Sequence, residues 1–590
     1  MLYIFTFVFI SHLLFANANE TGKDELQWLT SDSLTKKKII TTSDKEKIYE
    51  LEVRKSDEEN KWHYIFCDFP IGEGQFVHAN AQMRLVWCED SIGGGLSISF
   101  IDSERRRIEY VEERLTEPTR DYIPIKLYAK TPPNTRKVRV SIYIHNKGKI
   151  ESTEPIFSHL HIKNACSEDI VQLNIRKKPI EYRLIGFGAE DDGRFYDKNN
   201  SQGGVDEEAI KIRKNRLSEL KPHWVRTFIW FKDWNPLDDG ETFTFESDGM
   251  QSLCRTLQEY KDLNTDVNIT CVDWGIKDTW ENTEKRVKTI IALLNYLIKT
   301  KKFDNIKYFT LTNEPNYFFK TNENRFNKFT QLHKLLKEEF RRKNIKLKII
   351  GSDDAMGTDW FDACLKDKDY SNTVNLWASH FYWHFSTSYF SNELFKTRLE
   401  LVKNSKINSK KPFVVTEFGI TDHRFQPPSI NPIMQEYEGA LYTYSAMIDG
   451  LNQGVSGFSI WCLQEVRYPG SKEPMRIGLW GYADKNWQLF PIYHALKIFT
   501  NNTQPGDKIY PIITTNPVFV KITKVGEKLF WANLSNKQQK IEFKDKNKQK
   551  HVYIYENTKE MSNIHCKTIN TNDNIIFLPA RSFGVIDFKN

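Results

Sequence analysis

The sequence predicts an α/β protein: a (β/α)8 TIM barrel flanked by an N-terminal β-sandwich and a small C-terminal β-sandwich. Three observations carry this reading. From about residue 176 to residue 500, eight short β-rich apolar runs alternate with longer helical stretches. Residues 19–175 hold strand-like runs and no long helical pattern. Residues 501–590 turn β-rich again. The predicted boundaries are therefore 1–18, 19–175, 176–500 and 501–590.

The first segment is a leader. Leu2 to Phe15 is almost wholly apolar and Ala16-Asn17-Ala18 follows, the pattern of a secretory signal peptide without its basic start. The run is short for a membrane span, so a secreted chain without stable membrane insertion is expected. In the second segment the strand signals are Leu96–Ile101, Ile123–Tyr128 and Val138–Ile144, set apart by turn residues such as Gly93-Gly94-Gly95 and Pro132-Pro133-Asn134.

The barrel strands are read as Arg183–Gly188, His223–Phe231, Asp266–Trp274, Ile306–Asn313, Leu347–Ser352, Val374–Tyr382, Pro412–Gly419 and Val455–Leu463. Glu284–Leu297 and Gln435–Leu451 are predicted helices between them. A doubly wound open sheet is the competing fold, but no Gly-rich phosphate loop follows any strand. In the last segment Val518–Ile522, Leu529–Ala532, Val552–Tyr555 and Ile575–Leu578 read as strands. Ile170–Ile175 lies near the first barrel boundary and could instead wrap back to these strands.

Bulk properties exclude some functions. A net charge of +7 on 84 basic and 77 acidic residues is weak for 590 positions, so nucleic acid is not an expected partner. Eight cysteines are thinly spread with no C-x-x-C pair, which speaks against a zinc site. Cys271 and Cys462 read as buried thiols, and Cys67 and Cys88 are a possible pair. N-x-Ser/Thr sequons fall at Asn19, Asn199, Asn268, Asn501 and Asn533.

The chemistry points to two glutamates. Glu314, in Thr312-Asn313-Glu314-Pro315-Asn316, closes the fourth run, and Glu417, in Val415-Thr416-Glu417-Phe418-Gly419, closes the seventh. The active site of such a barrel gathers at the C-terminal strand ends. Two carboxylates there suit cleavage of a glycosidic bond, one protonating the leaving oxygen and the other attacking the sugar or activating water. The structural alternative is a strand-end carboxylate satisfied by a nearby Lys or Arg.

Both motifs resemble those of the clan A glycoside hydrolase superfamily, with likeness to families 5, 30 and 39, over the barrel alone. Strand four carries Thr312 before Asn313, where several of these families carry a Trp next to the Asn-Glu pair. The resemblance implies that Glu314 is the general acid and base, that Glu417 is the nucleophile, and that Asn313 binds the sugar 2-hydroxyl. It also implies that Arg226 keeps Glu417 ionised, that Tyr382 hydrogen-bonds Glu417, and that His380 orients substrate or acid. Trp461 would floor the sugar ring, and Trp274 would line the site from strand three.

The resemblance further implies a retaining hydrolase of β-glycosidic bonds in poly- or oligosaccharides, with no cofactor and no metal. A transglycosylase, or a non-catalytic carbohydrate-binding protein on the same scaffold, are the alternatives. Thr131-Pro132-Pro133-Asn134-Thr135 and the strands around it resemble jelly-roll carbohydrate-binding modules, with Trp87, Tyr128 and Tyr143 as stacking candidates. Glu190, Asp191, Asp192, Trp383, Asp422, His423, Glu465 and Arg467 are weaker loop candidates.

Overall fold

The alternation of apolar runs and helices closes into a barrel of eight parallel strands. The strands are β1 (Gly186–Glu190), β2 (Trp224–Trp230), β3 (Asp266–Val272), β4 (Ile306–Thr310), β5 (Lys348–Asp354), β6 (Leu376–His384), β7 (Phe413–Thr421) and β8 (Val455–Ile460). Strand β1 pairs with both β2 and β8, which closes the ring. The main helices between and after them are α1 (Glu207–Leu220), α2 (Asp248–Asp262), α3 (Thr283–Leu294), α4 (Glu323–Arg342), α5 (Asp359–Lys366), α6 (Asn392–Asn404), α7 (Tyr437–Gln453) and α8 (Pro491–Asn502). This computed structural model describes residues 27–588 except 56–59, 91, 161, 163–169, 273–281, 320–322, 426–429, 544–548 and 558–563. The predicted leader and Trp274 lie outside the described residues.

Local sequence sets the helix ends. Asp206, Ser247 and Asn282 cap α1, α2 and α3 by accepting the backbone N–H three residues on. Each such cap is worth about 1 kcal/mol. Helix α7 ends at Gly454, whose φ of 119° is left-handed and suits a glycine. The barrel strands are buried along nearly their whole length, as parallel strands covered by helices must be.

The chain divides into two compact units. One comprises residues 1–165 with 386–390, the other residues 166–385 with 391–590. In the first, a five-stranded sheet runs Leu29–Thr30, Trp62–Pro70, Lys137–His145, Gly94–Ile101 and Arg107–Leu115. The opposing sheet centres on Phe76–Cys88, flanked by Gly148–Thr153 and Ile123–Lys130. Alternate residues, such as Ile65, Leu96, Ile98, Val140 and Ile142, fill the core between the sheets.

Two of the three stacking candidates are not open platforms. Tyr143 is 1 % exposed. Tyr128 stacks on His78 with ring centres 4.4 Å apart and faces Phe390. Trp87 is half-buried. No disulfide joins Cys67 and Cys88, so the proposed pair does not form, while Cys271 and Cys462 are buried thiols as expected.

In the second unit the C-terminal strands form a three-stranded and a seven-stranded sheet. The boundary at 175 moves: Ile170–Val171 pairs with Gln539–Glu542, and Leu173–Ile175 pairs with Ile509–Thr514. Helix α7 seats the larger of these sheets. The Tyr444 hydroxyl donates to Gly584 O at 2.7 Å, and the buried Lys521 ammonium meets Asp449 at 2.8 Å. Of the sequons, Asn268 in β3 and Asn533 in the larger C-terminal sheet are fully buried. No helix among the described residues is long and apolar enough to cross a membrane.

Candidate active site

Strand register places the first pair of functional side chains. His380 on β6 and Glu417 on β7 are direct neighbours across the two strands, beside irregularities in both pairings. Such bulges re-aim side chains. Tyr382 follows on β6, with part of its ring open to solvent (45 % exposed) and its hydroxyl donating to Glu417 Oε1 at 2.6 Å. Gly419 makes room for that ring, since a Cβ there would sit 3.2 Å from Tyr382 Cε1.

Glu314 arrives differently. Strand β4 ends at Thr310, and Glu314 stands in the turn beyond it with a left-handed φ of 46°. Left-handed backbone at a non-glycine residue costs about 1–3 kcal/mol and calls for local support. The support is visible: the Glu314 N–H donates to Asp353 O at 3.2 Å. Asn316 bonds both ways to the Ala355 backbone, at 2.8 and 3.1 Å. The loop after β4 is thus pinned to the loop after β5.

Arg226, fully buried on β2, ties the centre together. Its Nη1 donates to Glu417 Oε2 at 2.6 Å, and its Nη2 donates to Asn313 Oδ1 at 2.7 Å and to Asp353 Oδ2 at 2.6 Å. His380 Nδ1 lies 3.0 Å from Glu314 Oε1 and 3.7 Å from Glu417 Oε2, and its Nε2 lies 3.3 Å from Asp353 Oδ1. Each expected residue within the described set is therefore at one site: Asn313, Glu314, Glu417, Arg226, His380 and Tyr382 touch in a connected network. Trp461 stands beside it, half-buried just past β8, with its ring 5.4 Å from Phe228. Phe228 in turn lies under the Arg226 guanidinium at 4.6 Å.

The electrostatics follow from burial and charge. Burial alone would lower the His380 pKa, but Glu417 and Asp353 raise it to about 10, so the ring is an imidazolium at neutral pH. Burial pushes Asp353 upward, and Arg226 and His380 override it and hold the carboxyl at about 2. Burial raises Glu417; His380 and Arg226 pull it down, Glu314 pushes it up, and the balance stays above the ordinary carboxylate value. Glu314, His380 and Glu417 bring ligand-type atoms within 4.8 Å of one another, the one cluster among the described residues with spacing suited to a cation. The Arg226 guanidinium already delivers a positive charge to that cluster.

The weaker candidates separate into structural and unmatched groups. Asp191 is spoken for by Arg213 and by the Tyr260 hydroxyl, both at 2.7 Å. Glu190 is buried with no hydrogen-bond partner on either carboxylate oxygen, and Asp192 is buried beside Tyr468, whose side chain offsets part of its burial. Burial, then Asp192 and Asp191, push Glu190 well above the usual carboxylate range. Burial likewise carries Asp192 to about 7. Trp383 is buried and stacks on Phe418. Asp422 pairs with Arg424, and Glu465 pairs with Arg476 and Lys485.

One residue at the centre of this network escapes the motif reading. Asp353 is the next-to-last residue of Lys348–Asp354 and meets Arg226, His380 and the Thr416 hydroxyl, the last at 2.6 Å. The acidic pair Asp353-Asp354 at the end of a barrel strand is the signal that marks it.

No protein-family model matches the chain, and no curated protein matches it. Among solved structures it is similar to a glucosidase from Croceicoccus marinus, at 9 % identity and a TM-score of 0.53, over 72 % of this chain and 100 % of that one. It is also similar to a GH51 arabinofuranosidase from Xanthomonas axonopodis pv. citri, at 13 % identity and a TM-score of 0.52, over 71 % and 100 %. A GH39 beta-xylosidase from Caulobacter crescentus matches at 14 % identity and a TM-score of 0.50, over 72 % and 100 %. At these identities the likeness establishes a shared fold. A structure from family 39, one of the three families that the motifs resemble, is among those that share the fold.

Proposed function

We propose that this chain is a retaining glycoside hydrolase acting on β-linked poly- or oligosaccharides. The carrying observation is the pair Glu314 and Glu417, which face each other with carboxylate oxygens within 4.8 Å. Retaining enzymes hold their carboxyl groups about 5–5.5 Å apart, whereas inverting enzymes leave about 6.5–9.5 Å for a water. The spacing favours direct attack by a carboxylate.

The environments divide the labour. Glu417 receives the Arg226 guanidinium and the Tyr382 hydroxyl, which stabilise its anion and aim it. It attacks the anomeric carbon and forms a glycosyl ester. Glu314, more open to solvent, protonates the departing glycosidic oxygen. The same carboxylate, now ionised, takes a proton from water, which attacks the ester and releases the sugar with its original configuration. Asn313, whose Oδ1 accepts from Arg226, is the residue assigned to bind the sugar 2-hydroxyl. Trp461 offers an apolar face to the ring.

We also propose that the chain is secreted, on the strength of Leu2–Phe15 and Ala16-Asn17-Ala18. The activity is tested by incubating wild type and Glu314→Gln with xylan, mannan, β-glucan, galactan and arabinan and separating the released sugars. Product from one polymer, lost in the variant, supports the reading. Binding without product supports the carbohydrate-binding alternative.

A further inference from the structure

Two buried cations and two buried anions interlock at the barrel mouth. Arg226 touches both Asp353 and Glu417 at 2.6 Å. His380 lies 3.3 Å from Asp353 and 3.7 Å from Glu417. Glu417 is assigned to the chemistry. Asp353 carries no such assignment, yet it is the only partner besides Glu417 that the two cations share among these contacts.

We propose that Asp353 is a positioning residue: the buried anion at the end of β5 that holds Arg226 and His380 in place as a charged pair, so that His380 donates to Glu314 and Arg226 donates to Glu417. The inference deepens the glycosidase reading and rests on it for the roles of the two glutamates.

The geometry supports each step. Both ring nitrogens of His380 face carboxylate oxygens, Glu314 Oε1 on Nδ1 and Asp353 Oδ1 on Nε2. An oxygen that carries no proton only accepts, so facing one at each nitrogen suits the imidazolium, which has a proton on each. An Nδ1–H directed at Oε1 leaves Oε2 of Glu314 to carry the catalytic proton toward a leaving group. Without the anion at Asp353 the ring can go neutral, and its Nδ1 can then accept the proton that Glu314 must donate outward.

Other groups around the pair do not replace Asp353. The His380 ring faces Glu314 beyond β4, Asp353 on β5 and Glu417 on β7; Arg226 on β2 shares Asp353 and Glu417 with it, and Tyr382 lies on its own strand. Asp353 itself faces Arg226, His380, the Thr416 hydroxyl and the buried Tyr370. The adjacent Asp354 is committed elsewhere, to Ser352, Ser379 and Arg398. The high His380 and low Asp353 pKa values agree with a pair that stabilises each other's charge.

The test is Asp353→Asn beside Asp353→Glu and wild type, in the full chain. Asn keeps the shape and tolerates the left-handed φ of 59° at this position. The first readout needs no substrate: NMR titration of the His380 ring in histidine-labelled protein. The expected shift is downward by about one pH unit or more in the Asn variant, with partial or full recovery in Asp353→Glu. The second readout is the pH profile of kcat/KM on the polymer found active, or on a 4-nitrophenyl glycoside series. Its alkaline limb should move to lower pH with the ring, and kcat/KM should fall about 100-fold.

An unmoved His380 titration in folded Asp353→Asn overturns the proposal. So does a profile that keeps its shape while activity falls only with the folded fraction. If Asp353→Asn does not fold, Asp353→Ser carries the same expectation. Failure of both neutral variants to fold counts against a site role and in favour of a purely structural one. Absence of turnover in wild type would defeat the glycosidase reading, while the ring titration still decides the link between Asp353 and His380.

Discussion

Glu314 and Glu417 approach to within 4.8 Å through carboxylate oxygens, although one stands in a turn beyond β4 and the other lies within β7. Each has its own polar escort. Glu417 has Arg226 and Tyr382, and Glu314 has His380. Two chemically identical side chains are thereby made unequal, as the proposed acid and nucleophile must be.

Glu417→Gln should reduce turnover by about 10,000-fold or more, because the group that forms the covalent bond is gone. Removing a buried carboxyl whose pKa is raised should leave thermal unfolding within a few degrees of wild type. Initial rates and a melting curve on the same preparation check both. Full activity in the variant would remove Glu417 from the mechanism.

Glu314→Gln should show a loss that depends on the leaving group. Natural sugar leaving groups need the proton, and loss of a general acid costs about 100- to 10,000-fold. An activated 4-nitrophenyl leaving group needs little help, so its bond cleavage should suffer far less. Comparing rates on the two substrate types separates this from general damage, which would lower both alike.

Stability should fall on both sides of a plateau. The folded pKa of His380 is raised from 6.5 to about 10, so its ion pairs contribute fully below pH 6.5 and are lost as pH rises through about 10. Asp353 is lowered from 3.8 to about 2, so its contribution is present above pH 3.8 and lost as pH falls through about 2. Melting temperatures of wild type and His380→Asn across this range test the sign: the variant should show a shallower decline between pH 6.5 and 10.

Trp461→Ala should lower kcat/KM about tenfold, the equivalent of roughly 1.4 kcal/mol of sugar contact. Its ring is only half-buried, so the fold should tolerate the change better than loss of a core tryptophan. Steady-state kinetics with a matched melting curve distinguish the two effects.

Asp449→Ala should destabilise the second unit by about 3–5 kcal/mol, since it takes from the buried Lys521 ammonium the carboxylate it meets at 2.8 Å. Denaturant unfolding reads this directly. A change below about 1 kcal/mol would mean that the pair contributes like an exposed one.

The barrel was legible because eight apolar runs and their intervening helices repeat, and that repetition survives errors at individual ends. Strand ends were less so. Trp461-Cys462-Leu463 continues the apolar run of β8, yet the pairing stops at Ile460. Hydrophobicity reports burial, whereas a strand needs a hydrogen-bonded neighbour. That Glu314 and Glu417 lie in one site was legible from their local motifs. Asp353 was not, because its meaning comes from Arg226, 127 positions away. Tyr143 misled because alternation tells which residues share a face but not what covers it. Residues 170–175 wrap back to strands more than 300 positions later, as the β-rich run beyond the boundary allowed, but no local pattern records which strands they join.

The central claim is double displacement by Glu314 and Glu417. It is tested most directly by proton NMR of the first sugar released from the substrate found in the polymer panel, before its anomers equilibrate. The account predicts a product with the same anomeric configuration as the bond cleaved. A first product of opposite configuration would contradict it, since one inversion cannot pass through a glycosyl ester on Glu417.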